Sequence, residues 1–224
     1  MTRISFHQKL DNLRERLLQM AGVAEQTLTF ALDAHCRGEL SACAKVRLNE
    51  VIINRSEREI DQMALDLLAM EQPMAIDLRF ILAVIKINAD LERVGDSARA
   101  ISDRVRELQA FPAADLPIDI PRTANLAGGM VRKALQAFIE GDADMAEKVL
   151  SMDDSVDKLN SSAHLTLLAL MKKEPTLAAQ ALNALMISRA LERVADHATN
   201  IAEDVIFWVR GADVRHHAGL GAKG

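Results

Sequence analysis

The chain has 224 residues, enough for one large domain or two small ones, with each half long enough to bury a core. Hydrophobic residues make up 50%, which excludes disorder for the bulk of the chain, while aromatics are 3% and Tyr is absent, a composition that suits helices and is poor for strands. The net charge of −5 and the lack of a dominant basic tract argue against a nucleic-acid partner. Cys36 and Cys43 read as reduced thiols rather than a disulfide, because the chain looks intracellular. Met1 to Leu10 has no apolar signal region, and no apolar run approaches the roughly 20 residues of a membrane span. A cytosolic protein is expected, meeting a membrane only through partners.

The first helix is predicted over Phe6 to Cys36, with Leu10, Leu13, Leu17, Met20, Ala24, Leu28 and Ala31 at helical steps and Gly38 as its stop. The second runs from about Glu39 to Met70 on a seam of Val46, Ile52, Ile60, Met63, Leu67 and Met70, and Pro73 breaks it. The third starts near Ala75 to Asp77 and continues to Leu108 on Ile81, Val84, Asn88, Leu91, Gly95, Ala98, Ile101, Val105 and Leu108. Asn88 interrupts that seam, either to fix register or to hydrogen-bond a site group.

Pro112, Pro117 and Pro121 fall in the one segment where no helix can persist. A fourth helix follows over Pro121 to Glu140, then Gly141-Asp142 as stop and N-cap, a fifth helix over Asp142 to Met171, a turn at Lys172 to Pro175, and a sixth helix over Thr176 to Arg210 ended by Gly211. The expected fold is all-α: two tandem three-helix bundles of long antiparallel helices, 1–110 and 121–211, joined by a Pro-containing linker at 111–120 and followed by a flexible tail at 212–224.

The stretch Leu91-Glu92-Arg93-Val94-Gly95-Asp96 returns, one hundred positions later, as Leu191-Glu192-Arg193-Val194-Ala195-Asp196. Glu92 with Asp96, and Glu192 with Asp196, stack their carboxylates on one helix face, a spacing that is mildly repulsive in isolation. Glu57 with Asp61, and Asp153 with Asp157, form further acid-x-x-x-acid pairs before each Pro turn, taken here as equivalent to one another. In the second half the two pairs share a midpoint inside the turn, so folding the hairpin brings four carboxylates to one height. In the first half the midpoint lies past Pro73, a misalignment of about 5 Å, or one helical turn.

Converging carboxylates repel unless protonated or neutralised by cations, and an oxygen-only shell suits magnesium, calcium, manganese or iron. The alternative is that Arg93, Arg99, Arg104, Arg189 and Arg193 pair with these acids. His197 could join a metal shell but lies about 100° around the helix from Asp196. His164 reads as a core histidine, and His216 and His217 receive no role. There is no phosphate-binding Gly-rich loop, no Gly-x-Ser-x-Gly and no Glu-x-x-His, so an enzyme is not expected.

The segments Gln72 to Arg79, Ala89 to Asp96, Ala190 to Asp204 and Gly211 to His216 occur in an order that resembles the PhoU family over essentially the whole chain. That resemblance implies two similar three-helix bundles with metal ions, iron or zinc, bound through the acid-x-x-x-Asp motifs that here are Glu57, Asp61, Glu92, Asp96, Asp153, Asp157, Glu192 and Asp196. It implies a negative regulator of phosphate uptake and of phosphate-starvation signalling, with the transporter's ATPase subunit and a PhoR-type sensor histidine kinase as partners. A homodimer or higher homo-oligomer is also expected. Alternatives are a metal-free structural adaptor or a carboxylate-bridged metalloenzyme. One departure is that Thr176-Leu177-Ala178-Ala179 stands where the first half has Ile76-Asp77-Leu78-Arg79, so any role of Asp77 and Arg79 belongs to one half.

Overall fold

The computed structural model describes residues 3–71, 73–212 and 214. Gln72, Asp213, Arg215, His216, His217 and nearly all of the expected tail lie outside the described residues. The regular structure among the described residues is all helical: α1 (Arg3–Arg37), α2 (Ser41–Glu71), α3 (Ala75–Leu108), α4 (Ile120–Glu140), α5 (Ala143–Leu150), α6 (Asp153–Lys173), one 3-10 turn (Pro175–Leu177) and α7 (Ala178–Arg210). No helix among the described residues is long and apolar enough to cross a membrane.

The stops act as their chemistry dictates. Gly38, Gly141 and Gly211 take positive φ after α1, α4 and α7, where a side chain would be strained. Asp142 caps α5 by accepting from the amides of Asp144 and Met145. Asp119 caps α4, with Pro121 in its first turn.

The expected fifth helix is broken in two at Ser151 and Met152. Ser151 Oγ donates to the Lys148 carbonyl at 2.8 Å, and the Met152 amide bonds the Val149 carbonyl at 2.9 Å. These local bonds replace the helical ladder for one turn. The helix restarts with Asp153 and Asp154 in its first turn, where the helix dipole favours acids. Three side-chain expectations also fail. Ile52 and Met70 are exposed while Ile53 takes the core position on α2, and His164 is exposed rather than buried. At Ile52-Ile53 two adjacent β-branched residues fit the seam equally well by composition, and only packing chooses between them.

In the first half α1, α2 and α3 pack on one another, and in the second α7 packs on α4, α5 and α6. The most extensive helix pair of all is α3 with α7, so the repeated helices form the seam between the halves. Leu91 and Leu191 are fully buried in one continuous core, each worth about 1.5–3 kcal/mol of burial. Polar side chains cross the seam. Lys86 Nζ meets Asp204 at 2.8 Å, and buried Asp90 accepts from Asn200 at 3.2 Å and pairs with His197 Nδ1 at 2.9 Å. At one end Phe80, Phe138 and Trp208 pack together from α3, α4 and α7, with the Arg14 guanidinium over the Phe138 and Trp208 rings. Arg79 of α3 donates to the Trp208 carbonyl of α7 at 3.2 Å, a contact across the seam that is not repeated at the other end, where Ala179 stands at the related position.

Candidate metal centre

The α6–α7 hairpin folds as its spacing demands. Oxygens of Asp153, Asp157 and Asp196 all lie within 4.8 Å of one another, the one such acid cluster among the described residues. The break before α6 places Asp153 at a helix start, half-buried, with its Oδ1 buried and unpartnered. Burial first, then the charges of Asp157, Asp196, Asp154 and Glu192, push its carboxyl up to about 6. Asp196 is held above the usual carboxylate range by burial and then by Asp157, and Glu192 by burial and then by Asp196 and Asp157. Three carboxylates this close carry repulsion that a proton or a cation relieves.

The α2–α3 site is looser. Burial, then Asp61 and Asp96, raise the Glu57 carboxyl; burial, then Asp96 and Glu57, raise that of Glu92. Glu57 therefore stands to Glu92 and Asp96 as Asp157 stands to Glu192 and Asp196. The equivalence drawn from sequence, Glu57 with Asp153 and Asp61 with Asp157, is off by one turn. The hundred-residue offset of the repeat shows the slip: it sets Glu57 against Asp157, whereas Asp61 corresponds to Ser161 and Asp153 to Ile53. The sites share three positions and differ in the fourth. In the first, Asp61 extends toward the turn and accepts from Asn88 Nδ2 at 2.9 Å; in the second, Asp153 extends away from it. Asn88 also donates to the Glu57 carbonyl at 2.9 Å, so it serves the site as well as the packing.

The nearby arginines do not neutralise these acids. Arg93 turns to Asp90, and Arg104 to Glu107, while Arg99 binds Glu50 at 3.2 Å. Among the described residues, only Asp96 of the eight acids reaches a cation, Arg99 at 4.0 Å. His197 is turned across the seam to Asp90. Sequence reasoning missed Asp90, Asn200, Lys86 and Asp204. The available signal was their asymmetry, because the positions one hundred residues away hold Ala190, Ala100, Met186 and Arg104.

The donor set is oxygen-only and one of its oxygens is a buried orphan, so the second site fits a hard divalent cation better than zinc. A family profile described as PhoU domain matches residues 17–105 and 120–205. Over 214 residues the chain is 36% identical to the phosphate-specific transport system accessory protein PhoU homolog of Pseudomonas aeruginosa, covering 94% of this chain and 88% of that protein. It is 31% identical over 214 residues to the phosphate-specific transport system accessory protein PhoU of Serratia marcescens, covering 96% and 88%. The crystal structure of PhoU from Pseudomonas aeruginosa superposes with a TM-score of 0.89 at 35% identity over 92% of this chain and 100% of that one. That of the phosphate transport system regulatory protein PhoU from Streptococcus pneumoniae gives 0.85 at 25% identity over 93% and 99%.

Proposed function

The chain belongs to the PhoU family of non-enzymatic phosphate-transport regulators, and from that premise we propose a cytoplasmic, metal-binding helical adaptor that represses phosphate uptake and the starvation response. Its partners in this reading are the ATPase subunit of a phosphate ABC transporter and a PhoR-type sensor histidine kinase. Contact with the membrane runs through those partners, nucleic acid is not bound, and the adaptor works as a homodimer or larger homo-oligomer. The halves are read as 1–110 and 121–211 with 111–120 between them.

The observation that carries metal binding is the Asp153, Asp157 and Asp196 cluster, gathered within 4.8 Å and lacking a basic partner among the described residues. Asp153, Asp157 and Asp196 would hold an ion there with Glu192 beside them, and Glu57, Glu92 and Asp96 with Asp61 would form the looser site. A bound cation supplies positive charge and a cross-link between the helices of a hairpin. The donor set favours iron(II), manganese or magnesium over zinc. The residues themselves present an acidic groove between α6 and α7 whose charge depends on occupancy. That dependence gives metal state a route to partner affinity.

The test is elemental analysis of protein purified without chelator or affinity metal, beside a variant with all eight acids changed to Asn or Gln, followed by capture of the ATPase subunit and the kinase on each. Stoichiometric metal in the wild type and none in the variant is expected, with weaker capture by the variant. Equal metal content in both removes the metal sites, and equal capture removes the link between metal and partners.

A further inference from the structure

Three leucines outside the core recur at the offset of the repeat. Leu65, Leu68 and Leu82 of the α2–α3 hairpin return as Leu165, Leu168 and Leu182 of the α6–α7 hairpin. Leu65 and Leu165 are 55% and 70% exposed, Leu82 and Leu182 37% and 48%. Leu68 is half-buried and Leu168 is exposed. Packing keeps core residues alike in a repeat, but it does not account for grouped leucines that face water. Exposed apolar residues nearby have drifted: Met74, Ile76 and Leu78 correspond to Glu174, Thr176 and Ala178.

The leucines share a face with the acidic sites. Leu168 lies eleven residues beyond Asp157, and Leu68 eleven beyond Glu57. That separation is three helical turns and returns each side chain to the direction of its acid. Ser188 Oγ donates to Asn160 Oδ1 at 2.9 Å, which sets α6 against α7 so that Leu168 stands within a turn of Leu182, and Leu165 within a turn of exposed Met186. Each hairpin groove therefore runs from an apolar end near its Pro turn to an acidic end roughly 16 Å away.

A groove between two antiparallel helices takes a third helix, and the described residues offer no strand edge to an extended segment. Apolar anchors at one end and carboxylates at the other require an occupant with apolar and basic groups in the matching order. An anionic membrane surface does not meet this, because the acids beside the leucines repel its headgroups. The seam sets number and spacing. Phe80, two residues from Leu82, packs on Trp208 at 5.1 Å, so Leu82 and Leu182 lie toward opposite ends of the antiparallel α3–α7 pair, roughly 40 Å apart. Two like grooves related by an approximate two-fold axis match a partner that is itself two-fold symmetric.

We propose that each hairpin groove receives one basic amphipathic helix, its apolar anchors on Leu65, Leu68 and Leu82 or on Leu165, Leu168 and Leu182 and its Lys or Arg side chains at the acidic end. The two helices come from the two like subunits of a two-fold symmetric protein. Such docking rests on the adaptor reading above but needs no metal, since divalent cations at the acidic end compete with the basic side chains.

The probe is a synthetic helical peptide of about 20 residues, or roughly 30 Å, with leucines on one face and lysines three turns from them. It is titrated in chelator into the full-length protein by calorimetry, beside the same peptide with glutamates for lysines. Two lysine peptides are expected per chain, each binding at least about tenfold more tightly than the glutamate peptide. Leu165→Ser with Leu168→Ser and Leu182→Ser leaves one per chain, and adding Leu65→Ser and Leu82→Ser leaves none, with circular dichroism unchanged. Two lysine peptides on a flexible linker that spans the grooves bind about a hundredfold more tightly than one, a gain lost in the triple variant. The lysine and glutamate peptides on wild type carry the test if the variants do not fold. No binding at millimolar concentration, equal binding of both peptides, or stoichiometry unchanged by the serines overturns the proposal. Wild type that self-associates in sedimentation, or binds phosphatidylcholine–phosphatidylglycerol vesicles, through these leucines overturns it by giving the face another occupant. Equal capture of the ATPase subunit and the kinase by wild type and the five-leucine variant overturns this docking alone, whereas capture of neither by wild type removes the adaptor reading and the docking with it.

Discussion

Replacing Asp153 by Asn removes the most strained charge in the second site, and in metal-free protein the variant is expected to be the more stable one. The sign follows from linkage. A carboxyl whose folded-state pKa lies above its unfolded value binds protons more tightly when folded. Its contribution is neutral below pH of about 4, becomes unfavourable as pH rises, and reaches its full penalty above about 6. A rise from 3.8 to about 6 corresponds to about 3 kcal/mol for a fully desolvated group. Asp153 is only half-buried, and screening reduces this to on the order of 1.5 kcal/mol. The substitution also gives up a favourable charge in the first turn of α6, worth about 0.3–1 kcal/mol. The net gain at pH 7.5 is about 1 kcal/mol, or about 2–4 °C in melting temperature for a chain of this size. Melts in chelator at pH 7.5 and pH 4.5 read it, the gap closing at the lower pH. Added manganese should reverse the order, because a ligand that binds only the folded state stabilises by mass action and the variant has lost a donor. A variant no more stable than wild type at pH 7.5 in chelator refutes the electrostatic account of the site.

Three further outcomes are expected. Glu192→Ala with Asp196→Ala removes metal from the second half while leaving helicity intact, read by elemental analysis and circular dichroism; unchanged metal content would sink the assignment. Asn88→Leu costs about 1–3 kcal/mol in urea unfolding, because Asp61 and the Glu57 carbonyl lose their shared donor, and an effect near zero would make Asn88 a packing residue only. Gly95→Ala brings a Cβ within 2.8 Å of Ile53 Cδ1 and costs about 1 kcal/mol by overpacking, whereas adding Ile53→Val restores stability, since the second half already accommodates Ala195 at the related position.

The helices, their glycine stops and the second acidic site were legible because each depends on local spacing. Asp153, Asp157 and Asp196 meet because α6 and α7 are joined by a short turn, so separation along the chain becomes height along the hairpin. The one-turn slip in the first site came from matching the acid pairs by their form, although the hundred-residue offset puts Asp61 against Ser161 and Asp153 against Ile53. The break at Ser151 and Met152 was hidden because a Ser in a helix interior becomes a stop only when its hydroxyl takes a backbone carbonyl, and that choice belongs to packing. Exposure of His164 was hidden likewise, since apolar neighbours in sequence do not tell which face of a helix is covered.

The seam between α3 and α7 shows why a duplicated chain diverges where its copies meet. Two antiparallel copies of one helix place each position against a partner, and the same contact recurs with the roles exchanged at the other end of the seam. Lys86 meets Asp204 at one end; the exchanged pair is Arg104 and Met186. Asp90 meets His197 and Asn200; the exchanged pairs are Ser97 with Ala190 and Ala100 with Ala190. Identical copies would have buried both sets of charges, and a second buried ion pair adds desolvation without assured gain. Keeping the cross-seam ion pairs at one end, with Arg104 turned to Glu107 on its own helix and small or apolar groups at the remaining positions of the other end, fixes a single register between the halves. The acids at positions 92, 96, 192 and 196 escape this divergence because they face the outer hairpin grooves rather than the seam. They are therefore free to remain alike.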